Sequence, residues 1–155
     1  MAKKSFNEKL RGPSDLPKIE DLSPNPDSMK RLGGRFMLIA SPLQYNEIME
    51  EIPEGKVITA DRIRKFLAQK AGADVTCPLT AGIFINICAN ASEEREDNKI
   101  PYWRTLKTGG ELNPKYPQGV EGQKKRLESE GHTIVKKGSR FFVEDYEKSL
   151  VDIKK

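Results

Sequence analysis

Apolar positions in this chain change their period from one stretch to the next, and each change marks an element. Arg35-Phe36-Met37-Leu38-Ile39-Ala40 is a short apolar run and predicts a strand. Ser41-Pro42 sets an N-cap before a proline at the first helical position. The helix it opens runs to about Glu51, with Leu43, Ile48 and Met49 predicted to face inward. Thr59 is the next candidate N-cap. Ile63, Phe66 and Leu67 then recur at helical spacing, and Gly72 stops the helix. Thr76 or Cys77 before Pro78 starts another helix, predicted to end near Ala91. Two helices joined by a short turn containing glycine fit a helix-turn-helix.

Ser92 to Asn98 reads as a charged loop or a frayed helix end. Trp103 to Leu106, Gly109-Gly110 and Glu111-Leu112 predict a strand pair around a tight turn. Asn113 to Pro117 is loop. Val120 to Glu130 carries Val120, Gln123 and Leu127 on one side and predicts a helix capped by Gly131. Thr133-Ile134-Val135 and Arg140-Phe141-Phe142-Val143 flank Lys136-Lys137-Gly138-Ser139, the pattern of a β-hairpin with a basic turn. Such a hairpin after a helix-turn-helix reads as a wing. Glu144 to Lys155 is expected to close the chain with a short helix using Tyr146, Leu150 and Ile153. The first 34 residues carry Pro13, Pro17, Pro24 and Pro26 with little periodicity, and read as an extended or disordered arm. Leu16, Ile19, Leu22 and Leu32 would pin it loosely. The expectation is one α+β domain over residues 35–155, a winged helix-turn-helix preceded by an arm over 1–34. There are no internal repeats.

Composition narrows the function. A length of 155 residues suits one domain, and the low hydrophobic share of 36% is concentrated away from the N-terminal arm. No apolar run approaches a membrane span, and the start lacks a signal-peptide pattern, so a cytoplasmic protein is expected. One histidine and two cysteines are a poor metal set, and neither a metal nor another cofactor is expected. Cys77 and Cys88, 11 residues apart on one helix, would sit about 16 Å from each other, too far for a disulfide. The net charge of +4 hides an asymmetry. From Lys99 to Arg140 there are ten Lys and Arg against four Glu, which suits either a phosphate-attracting surface or a solvated face of mixed charge.

Three blocks carry a further signal. The first is Ile52-Pro53-Glu54-Gly55-Lys56-Val57-Ile58-Thr59. The second is Pro101-Tyr102-Trp103-Arg104-Thr105-Leu106, followed by Gly110 and Leu112. The third places Gly119 before Leu127, Glu130 and Gly131. In this order and near this spacing they resemble the O6-alkylguanine-DNA alkyltransferase family. That family's runs are Ile-Pro-x-Gly-x-Val-x-Thr, Pro-Cys-His-Arg-Val-Val with a later Gly-x-Leu, and Gly followed by Leu-x-x-Glu-Gly. The resemblance spans roughly residues 48–131 and implies the fold of the family's C-terminal DNA-binding domain.

Several positions depart from it. The acceptor cysteine is matched by Tyr102 and the histidine beside it by Trp103, while Glu130 keeps the place of the relay glutamate. A phenol with a reference pKa of about 10 and no local base is a poor acceptor of an alkyl group. The resemblance therefore implies a binding protein more than an enzyme, in the manner of the non-catalytic alkyltransferase-like members. The family's base-flipping arginine is matched by Leu79, which fits either a core position or an apolar wedge. Its tyrosine after the threonine cap is matched by Ala60.

The resemblance and the basic residues together nominate Thr59, Thr80, Gly82, Arg104, Lys107, Lys136, Lys137 and Arg140 for contact with double-stranded DNA. Tyr102, Trp103 and Tyr116 are candidates for a base pocket, although Trp103 serves equally as a core anchor. His132 reads as a helix-end residue. From Ala71 to Glu94 there is no Lys or Arg, and an uncharged helix over 78–91 suits burial against a protein partner or a second copy. Three functions follow: a non-catalytic binder of alkylated or damaged DNA, an interaction module that has lost DNA binding, and an alkyl transferase working through Cys77 or Cys88.

Overall fold

A computed structural model describes residues 5–12 and 15–152. Pro13 and Ile153, both invoked above, lie outside those residues. The chain is α+β. A three-stranded sheet has the order β1-β2-β4, where β1 is Lys18–Asp21, β2 is Phe36–Ile39 and β4 is Val75–Thr76. β1 runs antiparallel to β2, with Lys18 opposite Ile39, and β2 runs parallel to β4. A parallel pair, β3 (Ile58–Thr59) with β5 (Thr105–Leu106), lies apart from it. The hairpin of β6 (Ile134–Lys137) and β7 (Arg140–Val143) is the wing.

The helix starts follow from local chemistry. Ser41 accepts from the Gln44 amide while Gln44 reaches back to the Ser41 amide, so helix α3 (Pro42–Glu50) opens on a reciprocal cap. Pro42, Tyr45, Ile48 and Met49 form its buried face. Leu43, expected inside, is 43% exposed, because it stands one position off that face, and Tyr45 fills the core. Helices α4 (Ala60–Ala71) and α5 (Pro78–Glu94) form the helix-turn-helix. Gly72 ends α4 in the left-handed conformation at φ 74°, where a side chain would be strained.

Residues 5–12 and 15–34 do not form the expected extended arm. They fold as helix α1 (Phe6–Arg11), strand β1 and helix α2 (Pro26–Leu32). The partners are remote in sequence, which is why the arm's composition misled. The Glu94 carboxylate accepts the Phe6 and Asn7 amides at 2.9 and 3.1 Å, capping α1 from the far end of α5. Asn7 Nδ2 donates to the Ala91 carbonyl at 2.9 Å, and Arg95 Nη1 donates to Asn7 Oδ1 at 2.7 Å. The stretch read as a charged loop thus begins as the last turn of α5 and anchors α1.

The predicted strand pair around Gly109-Gly110 is largely a closed loop. Tyr102–Arg104 form a single 3-10 turn, and β5 pairs with β3 rather than with Glu111-Leu112. The Lys107 amide bonds the Glu111 carbonyl at 2.8 Å and closes the turn. A Cβ on Gly110 would stand 2.5 Å from the Tyr146 ring, so this approach of loop to chain end requires glycine. Toward the end of the described residues the chain makes a 3-10 turn, Tyr146–Ser149, and Leu150 bridges to Val57.

Two apolar clusters result. One joins α1, α3, α4 and α5 through Leu10, Tyr45, Met49, Ile63 and Ile85. The other joins helix α6 (Gly119–Ser129) to the wing through Leu106, Leu112, Leu127 and Val143. Trp103, half-buried, packs against both.

Candidate nucleic-acid interface

Pro101 turns the chain out of the α5 exit and sets Tyr102, Trp103 and Arg104 in their 3-10 turn. Each side chain is committed. Tyr102 is 3% exposed and donates from its hydroxyl to Glu93 Oε1 at 2.8 Å. Burial, and then that hydrogen bond to a carboxylate, raise its pKa far above the usual phenol value. The Trp103 indole donates to Glu130, and Arg104 donates to the same carboxylate and to the Ile52 carbonyl at 2.7 Å. Burial pushes the Glu130 carboxyl up, but donation from Arg104 and Trp103 outweighs it and holds the pKa below the ordinary range. The Arg126 guanidinium stacks 4.4 Å from the Trp103 ring centroid and lies 3.5 Å from Glu93. The Tyr102 phenol therefore has a carboxylate beside it, Glu93, where the sequence offered no local base, but burial and that bond both favour the neutral phenol.

The open site lies beside it. The start of α5 and the loops after β5 enclose a groove of about 410 Å³. Its apolar lining includes Ala81, Ile85, Leu106 and Tyr116, and its cations are Arg64, Lys107 and Lys115. Tyr116 is 4% exposed and donates to the Thr105 carbonyl at 2.7 Å, so its ring is fixed. Asn113 holds the loop to α5 by donating from Nδ2 to Asn86 Oδ1 at 2.9 Å. Gln123, buried in α6, accepts the Asn113 amide and donates to the Trp103 carbonyl, satisfying both ends of its own amide. At the groove's edge Leu79 is 72% exposed and Ile83 48%. The core reading of Leu79 is overturned: the buried face of α5 is Ala81, Ile85, Cys88 and Ala89, and Leu79 stands away from it.

A charged link connects groove and wing. Glu111 accepts two hydrogen bonds from Arg140, at 3.0 and 2.7 Å, and lies 3.9 Å from the Lys107 ammonium. Donation from the Arg140 guanidinium, against burial and with help from Lys107, sets the Glu111 carboxyl below its usual range. Lys136 and Lys137 are exposed near the hairpin turn, beside the Phe141 and Phe142 rings at 5.8 and 5.5 Å.

The nominated residues therefore separate. Lys107, Lys136, Lys137 and Gly82 are exposed. Arg140 is exposed over 59% of its side chain while holding Glu111. Thr80 is half-buried, with its hydroxyl oxygen enclosed and unbonded. Two nominations do not fit a DNA surface. Thr59 is 2% exposed because β3 lies inside, and it makes no side-chain cap bond. The Arg104 side chain is 13% exposed and turned to Glu130, since its turn faces the end of α6. Of the base-pocket candidates only Tyr116 lines the groove; Tyr102 packs behind it, ring centroids 5.2 Å apart, and Trp103 lies farther along the core. His132 is not a simple helix end but a 9% exposed side chain with Nε2 unbonded. Arg64, Asn86 and Asn113 were missed. Arg64 had a signal, being a cation on the polar side of an amphipathic helix, whereas the two asparagines meet only through the fold.

Both cysteines are free thiols. Burial pushes the Cys88 thiol up to about 12. Among the described residues no helix is long and apolar enough to cross a membrane, and no group of three or more His, Cys, Asp or Glu could hold a metal ion.

No protein-family model matches the chain, and no curated protein matches it in sequence. Solved structures do. S. pombe Atl1 in complex with damaged DNA containing O6-carboxymethylguanine is similar with a TM-score of 0.53 and 21% identity, over 72% of this chain and 94% of that one. S. pombe ATL in complex with DNA is similar with a TM-score of 0.54 and 22% identity over the same shares. At these identities the likeness is one of architecture: this chain has the alkyltransferase-like fold, an α+β winged-helix arrangement.

Proposed function

We propose that this protein binds double-stranded DNA and receives a damaged or alkylated base without transferring its alkyl group. One observation carries the reading: a groove with an apolar floor and three cations opens at the start of α5, with Leu79 exposed at its edge. An apolar floor takes a base face, cations take the flanking phosphates, and an apolar side chain enters a base step. The fold likeness supports it, since both similar structures are DNA complexes. The absence of transfer follows from Tyr102, a hydrogen-bonded phenol at the acceptor position. Cys88 offers no alternative, because its buried thiol is protonated near neutral pH.

The test is a fluorescence-anisotropy titration with duplexes that carry or lack one O6-methylguanine, at two salt concentrations. If about three to five phosphates are neutralised, the log–log salt slope is roughly −3 to −4.5. Tighter binding to the modified duplex supports a damage sensor. Equal, salt-sensitive binding leaves a general DNA binder. Absence of binding at low salt sinks the proposal.

A second reading rests on Leu79 and Ile83, two exposed apolar residues on a helix with no charged side chain before Glu93, a patch that also suits a protein partner. Ile83→Lys addresses it without touching the core, whereas Ile85 is buried. A dimer in solution that Ile83→Lys dissociates would favour this reading over the first.

A further inference from the structure

Arg64 and Pro78 line a second groove of about 410 Å³ that adjoins the first across the start of α5. This groove runs between α2, α4 and β4, and Arg31 and Lys65 join Arg64 along it. Arg31 and Lys65 are exposed and Arg64 is half-buried. None of the three is in an ion pair among the described residues. Two acids share the groove. Asp74 accepts the Arg35 and Phe36 amides at 3.1 and 2.9 Å through one oxygen, which turns that oxygen toward the backbone while the carboxylate keeps its charge. Asp61 sits in the first turn of α4, where the partial positive charge of the helix start offsets it in part, so three cations face two carboxylates and the balance stays positive.

We propose that Arg31, Arg64 and Lys65 form a second phosphate-binding locus, so that the N-terminal segment extends the DNA interface beyond the base groove. The proposal rests on the DNA-binding reading above and adds to it a contact from α2. Its geometric basis is continuity: the cations of the first groove, Lys107 and Lys115, lead through the shared Arg64 to Lys65 and Arg31. A duplex seated on the base groove and running past Pro78 would meet these cations with its phosphate backbone. A duplex too short to pass Pro78 would not.

The experiment compares the full chain with Arg31→Ala/Lys65→Ala on fluorescent duplexes of about one and about two helical turns, each centred on one O6-methylguanine. Both residues are exposed, and thermal melting confirms that the variant folds. On the long duplex the variant binds roughly tenfold more weakly at low salt, and its salt slope flattens by about 2, near 0.9 for each lost phosphate contact. On the short duplex it matches the wild type. Arg31→Lys/Lys65→Arg keeps the charge and retains tight binding to the long duplex. If the double alanine variant keeps wild-type affinity and slope on the long duplex, the second locus is wrong and the base groove stands. If the wild type binds neither duplex, the DNA-binding reading falls and takes this one with it.

Discussion

The Trp103 indole nitrogen donates to Glu130 Oε2 at 3.1 Å, and that oxygen also takes Arg104 Nη2 at 2.6 Å. A glutamate at the family's relay position here ties the 3-10 turn to the end of α6. Glu130→Ala leaves Arg104 without its carboxylate in a site only 13% open to water. The expected loss of unfolding free energy is roughly 3 kcal/mol, read from urea unfolding. Glu130→Gln keeps one acceptor and loses less. Equal losses for the two would mean that charge plays no part in this tie.

Tyr102→Cys places a sulfur where the alkyltransferase family has its acceptor cysteine, and no transfer is expected from it. The neighbouring position holds an indole, which cannot take a proton from the thiol, Glu130 is already bonded to Trp103 and Arg104, and Glu93 beside position 102 is a weakly basic carboxylate held by Arg126. Mass spectrometry after incubation with an O6-methylguanine oligonucleotide should show no added methyl group. A methylated Cys at 102 would show that the site still activates a thiol.

Leu79 is 72% exposed, so Leu79→Ala changes stability by less than about 0.5 kcal/mol. If its side chain enters the base stack, about 1.5 kcal/mol of apolar burial is lost on binding, roughly tenfold in Kd. Anisotropy and thermal melting on the same sample check both halves. Unchanged affinity would remove Leu79 from the interface.

Acid weakens the fold in two stages. Burial, with help from Arg104 and against the pull of Glu130, lowers the His132 pKa from the usual 6.5. The unfolded chain then binds a proton that the folded chain refuses, so stability falls as pH drops through 6.5 toward the folded value. Glu130 and Glu111 act lower. Their folded pKa values lie under 4.5, so their contribution is present above 4.5 and is lost as pH falls through those lowered values. His132→Gln removes the first stage and leaves the second, which Tm measured against pH resolves. Superimposable profiles would dismiss His132 as a source.

What could be read from the sequence was local. The Ser41-Pro42 cap, the Gly72 stop and the 134–143 hairpin each depend on neighbours in the chain, and each stands in the structure. The winged helix-turn-helix followed from them. The remainder depended on partners far along the chain. β1 exists because Lys18 to Asp21 find β2, and α1 because its amides find Glu94, 88 residues from Phe6. Arg104 shows the same limit from the other side. A cation between an aromatic and a threonine reads as a surface contact until Glu130 is brought to it.

Helix α5 spans 17 residues, about 25 Å at 1.5 Å per residue. It leaves β4 with the Cys77 amide bonded to the Leu38 carbonyl, and its last turn is gripped by Asn7 and the α1 amides. Mechanically it is a beam supported at both ends, and Leu79 projects just inside one support. A side chain mounted this way has little slack behind it. If it enters a base step as proposed, the yielding would fall to the duplex and not to the protein.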